Sequence, residues 1–232
     1  SSSAASDVYK RQGYVTGGIL QEGDFDGVGA NGKPLYHGPY FKGGQAYPGY
    51  IWYQDLDHDG VITTGLNTVD DPGDRKVIGN NAPRYRYNIT ANFQYKGFDL
   101  DLMFQGVGKR DYWLSSTSSY WGNGAGSWEV YNNSWTPERT DAKFPMYGSG
   151  TGSYPQTGYL LDASYIKLKQ VILGYTFPRA LINKIGLEKL RLNLAAYNLF
   201  TISDMPKYYD ADYLSDAYPP KRTFSVGIQV GF

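Results

Sequence analysis

The chain has 232 residues, with 22 Lys+Arg against 22 Asp+Glu, no Cys, 29 Gly, 23 Tyr, 10 Phe and 5 Trp. Zero net charge argues against a general nucleic-acid binder, which carries a basic excess, so no nucleic-acid partner is expected. Without Cys there is no disulfide scaffold, thiol nucleophile or thiolate zinc site, and two His, His37 and His58, leave little for a multi-histidine metal centre.

No run of about 18 apolar residues exists, so no transmembrane helix is predicted. Aromatic residues at 16% disfavour disorder. A Tyr- and Gly-rich, Cys-free chain without long apolar runs describes an all-β fold, either a soluble sandwich or a membrane barrel.

Residues 1–12, SSSAASDVYKRQ, carry no initiator Met and no apolar stretch. They read as a non-native tail rather than a signal peptide. Residues 13–83 read as a loop region built around an Asp-rich turn. Asp55, Asp57 and Asp59, followed by Gly60 and Val61, match the first half of an EF-hand-type Ca2+ loop. Alternate residues converge oxygens on one ion, Gly makes the sharp turn, and Val61 offers its carbonyl. Position twelve should be a bidentate carboxylate but is Leu66; Asp70, Asp71 or Asp74 could close the set after a longer loop. The alternative is an Asp/Gly turn without an ion.

From Arg84 to Tyr95 apolar and polar residues alternate without a break, about the length of one tilted bilayer-spanning strand. Lys96-Gly97 makes a tight turn, and residues 98–106 alternate again. The following segment holds Trp113, Tyr120, Trp121 and Trp128 among Gly and Ser. Such aromatics are candidate stacking surfaces for glycans; they equally suit packing against a partner or an interfacial belt.

In 164–177 the apolar phase changes between Leu168 and Val171, which predicts a β-bulge near Lys169–Gln170. Pro178 ends that strand, and Arg179 to Gly186 reads as a short helical turn closed by Gly186. Strands 188–200 and 222–232 complete a set of five.

Connections alternate between short (96–97, 178–187) and long (107–163, 201–221). Outer-membrane barrels show this asymmetry, with short periplasmic turns and long extracellular loops. Barrels of useful size need about eight strands, and open edges are not tolerated in lipid. The expectation is therefore an antiparallel transmembrane β-barrel segment, the last five or six strands of a larger barrel, spanning 84–232. Phe232 would then sit at the periplasmic interface. No G-x-S-x-G, H-E-x-x-H or P-loop is present, and no catalytic residue is assigned.

Several landmarks, in order, resemble one family. They are Gly49 to Gly60, Asp74-Arg75 with Val77 to Asn80 and Pro83, and Tyr95 to Leu100 with Phe104-Gln-Gly. Trp135-Thr-Pro-Glu138, Ser164 to Lys169 with Leu173 to Pro178, Asn198 to Thr201 and the ending from Arg222 to Phe232 follow. From Gly49 onward the chain resembles the C-terminal end of SusC/RagA-type TonB-dependent outer-membrane transporters. Three departures stand out: Arg139-Thr140 in place of Asn-Pro, Ala211 where the family often has Pro, and an insertion from Thr63 to Asp71.

The resemblance implies import of oligosaccharides or other large nutrients across the outer membrane of a Gram-negative cell. It also implies a SusD-like surface lipoprotein partner, and a TonB complex acting through an N-terminal plug outside this sequence. Arg84, Arg86, Asn88, Asn92, Asp99, Asp101, Arg191 and Asn193 would line the lumen. Tyr85, Tyr87, Phe93, Leu100, Leu102, Phe104, Leu190, Leu192, Phe224 and Val226 would face outer-membrane lipid. The ending in Phe232 resembles the signal read by the barrel-assembly machinery. The rivals are a soluble carbohydrate-binding β-sandwich and a secreted glycan hydrolase, which would need two carboxylates about 5–10 Å apart across a cleft.

Overall fold

The computed structural model describes residues 10–113, 128–149, 153–206, 209–214 and 220–232. These form two compact units: 1–82 with 112–161, and 83–111 with 162–232.

The second unit is built on one antiparallel sheet of five strands. They are β1 (Tyr85–Tyr95), β2 (Phe98–Gly108), β3 (Tyr165–Thr176), β4 (Lys189–Ser203) and β5 (Thr223–Gly231). Each strand pairs with its sequence neighbour in an unbroken meander from β1 to β5. The strands run from 9 to 15 residues, enough to cross a hydrocarbon layer at a tilt.

Local chemistry explains the connections. Lys96 and Gly97 both take positive φ, 45° and 86°, as a two-residue hairpin of the right twist requires. After β3, Pro178 withdraws its donor and opens a helical turn at Arg179–Ile182, continued by a 3-10 turn at Asn183–Ile185. Gly186 closes it in the left-handed conformation at φ 75°.

The predicted change of phase in β3 is a bulge. Leu168 lies opposite Phe104 and Phe200, whereas Gln170 lies opposite Met103 and Tyr197, so Lys169 is an extra residue relative to β2. On β4, Asn198 and Leu199 fill the same gap, and Asn198 takes φ 54°. The bulge keeps Ile166 and Leu168 on the same face as Val171, Leu173 and Tyr175.

Register then sorts the sheet into two faces. Phe93, Leu100, Leu173, Leu194 and Val226 lie side by side across all five strands. Tyr95, Phe98, Tyr175, Leu192 and Ile228 form the next row. Much of this face is bare: Phe93 is 59% exposed and Phe224 71%. The opposite face carries Asn92 beside Asp101, Gln94 beside Asp99, and Asn88 beside Gln105 and Lys167. Apolar residues in contact with solvent over a whole sheet face make sense only if lipid or protein covers them.

The other unit has short paired strands around an aromatic core. Lys10–Tyr14 pairs with Arg75–Asn80, Thr16–Ile19 with Ile51–Tyr53, and Phe25–Val28 with Pro34–Tyr36. Residues 10–12, set aside as tail, therefore take part in strand pairing; 1–9 lie outside the described residues. The described residues of 112–161, in the long connection between β2 and β3, cluster with this unit rather than with the strands that flank them.

Tyr14 packs on Tyr53 and Phe41 with ring centroids 5.0 and 5.5 Å apart. Gln156 is fully buried and satisfied: its amide donates to the Tyr53 hydroxyl at 3.0 Å, and its oxygen accepts from Thr16 at 3.0 Å. Trp135 of the Trp-Thr-Pro-Glu motif is buried, donates from Nε1 to Gln21 at 2.9 Å and covers Gly49, whose φ is 84°. A side chain at Gly49 would meet the indole at 2.5 Å.

Candidate functional site

The polar face of the sheet holds most of the expected lumen-facing residues, and the register brings several into contact. Arg191 on β4 reaches across β3 to Asp99 on β2, making two parallel hydrogen bonds of 2.6 Å. Its Nε donates to Asn193 at 2.8 Å, and Nη1 also donates to Thr176 at 3.1 Å. A guanidinium spanning a whole strand needs a gap there, and Gly174 supplies it. A Cβ at Gly174 would lie 2.3 Å from the Arg191 guanidinium and 2.5 Å from the Asp99 carboxylate. This is a requirement for space, not for an unusual backbone.

Gly174→Val is therefore expected to break the bidentate pair and cost about 1–3 kcal/mol. The urea midpoint of the folded protein in detergent reads this directly. A midpoint within error of the parent would show that the pair tolerates displacement.

Asp101 accepts a hydrogen bond from Asn92 across the β1–β2 pair. With Asp99 held by Arg191, the two carboxylates have separate partners and are not arranged as an acid–base pair. Arg86 and Asn88 lie on the same face near the start of β1, Asn88 opposite Gln105. Arg84 lies just before β1; its N–H donates to Lys109 at 3.2 Å, and its guanidinium sits 5.8 Å from the Tyr85 ring. Phe232 follows the last paired residue of β5 and is 88% exposed.

A charged network absent from the sequence expectations occupies the same face. Lys167 on β3 is 2% exposed, yet carries an ammonium group. It donates to Asp210 at 2.8 and 3.1 Å and approaches Asp212 at 3.5 Å. Asp212 also accepts from Lys169 and from the Tyr165 hydroxyl, each at 2.6 Å. Burial works against the Asp212 charge, but the bonds from Lys169 and Tyr165 outweigh it and hold the carboxyl below its usual range. Arg110 donates to the carbonyls of Ala163, at 3.0 Å, and Ala211. The segment 209–214, from the connection after β4, is thus tied to the sheet by its two Asp side chains and one carbonyl.

The one sequence signal for this network was the in-phase trio Tyr165, Lys167 and Lys169, opposite in phase to Ile166 and Leu168. Nothing local pointed to Asp210 and Asp212, some 40 residues on.

In the other unit the Asp-rich turn is well ordered by its own backbone. Asp55 accepts from the N–H of His58 at 2.7 Å and of Gly60 at 2.8 Å, with His58 and Gly60 at positive φ. Loss of hydration opposes the Asp55 charge, but these N–H groups prevail and its carboxyl lies below the ordinary range. Asp57 is shifted the other way, first by loss of hydration and then by the negative charges of Asp74, Asp59 and Asp55.

Asp74 is fully buried and accepts from the N–H groups of Leu56 and Thr63, both at 2.7 Å. Its own N–H donates to the Thr63 carbonyl at 3.1 Å. The insertion therefore leaves and returns at the Thr63–Asp74 pair, which carries Asp74 back beside the turn. Asp55, Asp57 and Asp74 each offer an oxygen within 4.8 Å of the others.

Asp59 is not in that group and instead accepts from Val61 N–H at 2.8 Å, and Asp70 is exposed away from it. Leu66, at position twelve of the simple pattern, is 77% exposed. Of the expected carboxylate donors, the structure gathers three.

Trp113 corrects an expectation. It is 5% exposed, so its ring faces are used in packing and cannot stack on a sugar. Tyr120 and Trp121 lie outside the described residues. Trp128 is 77% exposed and meets Tyr131 edge-on at 5.8 Å.

No family model matches the chain. It is 31% identical to TonB-dependent receptor P3 of Formosa agariphila over 239 aligned positions, covering 92% of this chain and 23% of that protein. It is 26% identical to TonB-dependent receptor SusC of Bacteroides thetaiotaomicron over 201 positions, covering 79% of this chain and 19% of that protein. Its fold matches the RagAB peptide importer in the open-open state with a TM-score of 0.60 at 22% identity, covering 96% of this chain and 22% of that one. The chain spans roughly a fifth to a quarter of the length of these relatives.

Proposed function

We propose, since this chain belongs to the SusC/RagA-type TonB-dependent receptors, that its five-stranded sheet forms part of the wall of an outer-membrane importer. The cargo is oligosaccharide or another large nutrient. A SusD-like lipoprotein meets the extracellular side, and a TonB complex supplies the energy. The role is transport, not catalysis. The observation that carries this reading is the separation of faces, with apolar rows on one side of every strand and the Asp99–Arg191 and Lys167 networks on the other.

On this reading Asp99, Asp101, Arg191, Asn193, Asn92, Asn88, Arg86 and Arg84 present a hydrated surface along which a polar cargo exchanges hydrogen bonds. The rows containing Phe93, Leu100 and Val226 lie against lipid. Phe232 marks the strand for barrel assembly. The test is uptake of fluorescent oligosaccharides by cells carrying the receptor in the outer membrane. Uptake should require both the receptor and the proton-motive force. Equal uptake after deletion of its gene would remove the transport assignment.

The acidic turn is proposed to hold Ca2+, with oxygens from Asp55, Asp57 and Asp74. The three oxygens lie within 4.8 Å of one another, and a divalent cation would offset both the lost hydration and the mutual repulsion that raise the Asp57 carboxyl. Millimolar Ca2+ is expected to raise the thermal midpoint of the intact receptor, Mg2+ less so, and Asp57→Asn to abolish the response. The same midpoint with Ca2+ and with chelator would establish an ion-free turn.

A further inference from the structure

The polar face of the sheet contains a recess of ≈ 430 Å³, lined in part by Arg86, Asn88, Gln105, Arg110, Tyr165 and Asp212. It lies where β1 begins, β2 ends and β3 begins, the end of the sheet that leads into the long connections. Its volume suits a small ligand or one unit of a larger one. Register fixes its composition. Arg86 stands opposite Val107, Val107 opposite Tyr165, and Asn88 opposite Gln105, so these side chains share the polar face.

The chain as a whole is charge-balanced, but this place is not. Its lining holds two cationic side chains, Arg86 and Arg110, and one carboxylate, Asp212, which belongs with Asp210 to the network around Lys167 and Lys169. Both carboxylates are already engaged by the lysines, Asp210 at 2.8 Å and Asp212 at 2.6 Å. Asp212 is the lining residue that would repel an anion, and Lys169 together with the Tyr165 hydroxyl absorbs its charge. Arg110 directs Nη2 to two neutral carbonyls. Among the described residues no carboxylate pairs with Arg86, which is exposed. Beside it stand two amide side chains, each with two N–H donors.

We propose that this recess binds an anionic group of the cargo, a carboxylate or a sulfate ester on an oligosaccharide. Arg86 provides the charge and a fork of donors, and Asn88 and Gln105 provide further N–H groups. The neutralised Asp212 wall keeps that fork from being quenched internally. The inference rests on the import reading and names the class of cargo for it.

The experiment uses the intact receptor in detergent and the same receptor in cells. The probes are fluorescent oligogalacturonate, a sulfated oligosaccharide and neutral maltoheptaose. At least one anionic probe should bind more tightly than the neutral one, and its affinity should fall as NaCl is raised. Arg86→Gln should weaken that probe about tenfold or more and Arg86→Lys less, with a much smaller loss for maltoheptaose in each case. The probe that responds tells carboxylate from sulfate. Anionic probes that bind no better than maltoheptaose, or that ignore Arg86→Gln, overturn the subsite. If maltoheptaose is still imported in that case, the import reading stands. If no probe enters cells through the receptor, import fails and the subsite with it.

Discussion

Replacing Lys167 by Ala is expected to release the segment 209–214 from the sheet and to cost about 3–5 kcal/mol, because it strands a carboxylate rather than removing a contact. Lys167 is almost fully buried, and its ammonium is the cation nearest Asp210. Asp212 keeps Lys169 and Tyr165 and is less affected. The measurement is limited proteolysis of the β4–β5 connection alongside the urea midpoint in detergent. Cleavage should accelerate and the midpoint fall. The double variant Lys167→Met with Asp210→Asn removes both charges together and should recover much of the loss. A Lys167→Ala protein with unchanged cleavage and midpoint would mean that the network is ornamental.

The same segment has a predictable response to acid. Asp212 is held below its unfolded value of about 3.9, so its contribution is present above that value. It is lost as pH falls through the lower folded value. Protection of the segment should therefore be flat from neutral pH to about 4 and decline below it.

Asp74→Ala is expected to be the most damaging single change in the other unit, at about 2–5 kcal/mol. The carboxylate is fully buried and accepts from Leu56 and Thr63 N–H groups, at 2.7 Å each. Removing it leaves two backbone donors without acceptors, each costing about 1–3 kcal/mol. Asp74→Asn retains one oxygen and should cost less. Thermal unfolding, with proteolysis between residues 55 and 75, reads the difference. The two variants behaving alike would show that the carboxylate's double acceptance is not what holds the insertion closed.

The strands were legible because their physics is local. Alternation of Tyr85 to Tyr95 with polar partners, the Lys96-Gly97 turn, the Pro178 stop and the Gly186 closure each depend on a few adjacent residues. The shift of phase after Leu168 even located the bulge, since only one extra residue reconciles Leu168 with Val171 on the same face. What was not legible depends on contacts between distant residues. Gly174 gives no sign in the sequence that a guanidinium from β4 crosses over it to Asp99. Lys167 looked like an ordinary polar position until Asp210 came to meet it.

The acidic turn was half legible. Asp55 and Asp57 followed from spacing, but only the return of the chain at Thr63–Asp74 selects Asp74 over Asp70 and leaves Asp59 occupied with Val61. Trp113 was misplaced for a related reason: an aromatic residue next to a Gly- and Ser-rich stretch reads as exposed, whereas the fold buries it.

The chain contains no Cys, so a single introduced thiol reports one position without background from this sequence. Single cysteines at Asn92, Asp101 and Asn193 on one face, and at Phe93, Leu100 and Leu192 on the other, test the membrane wall most directly. In outer membranes, a small water-soluble maleimide should label the first three and leave the second three unmodified until detergent is added. Equal labelling of both sets in intact membranes would contradict a lipid-facing side and with it the assignment of the sheet to a barrel wall.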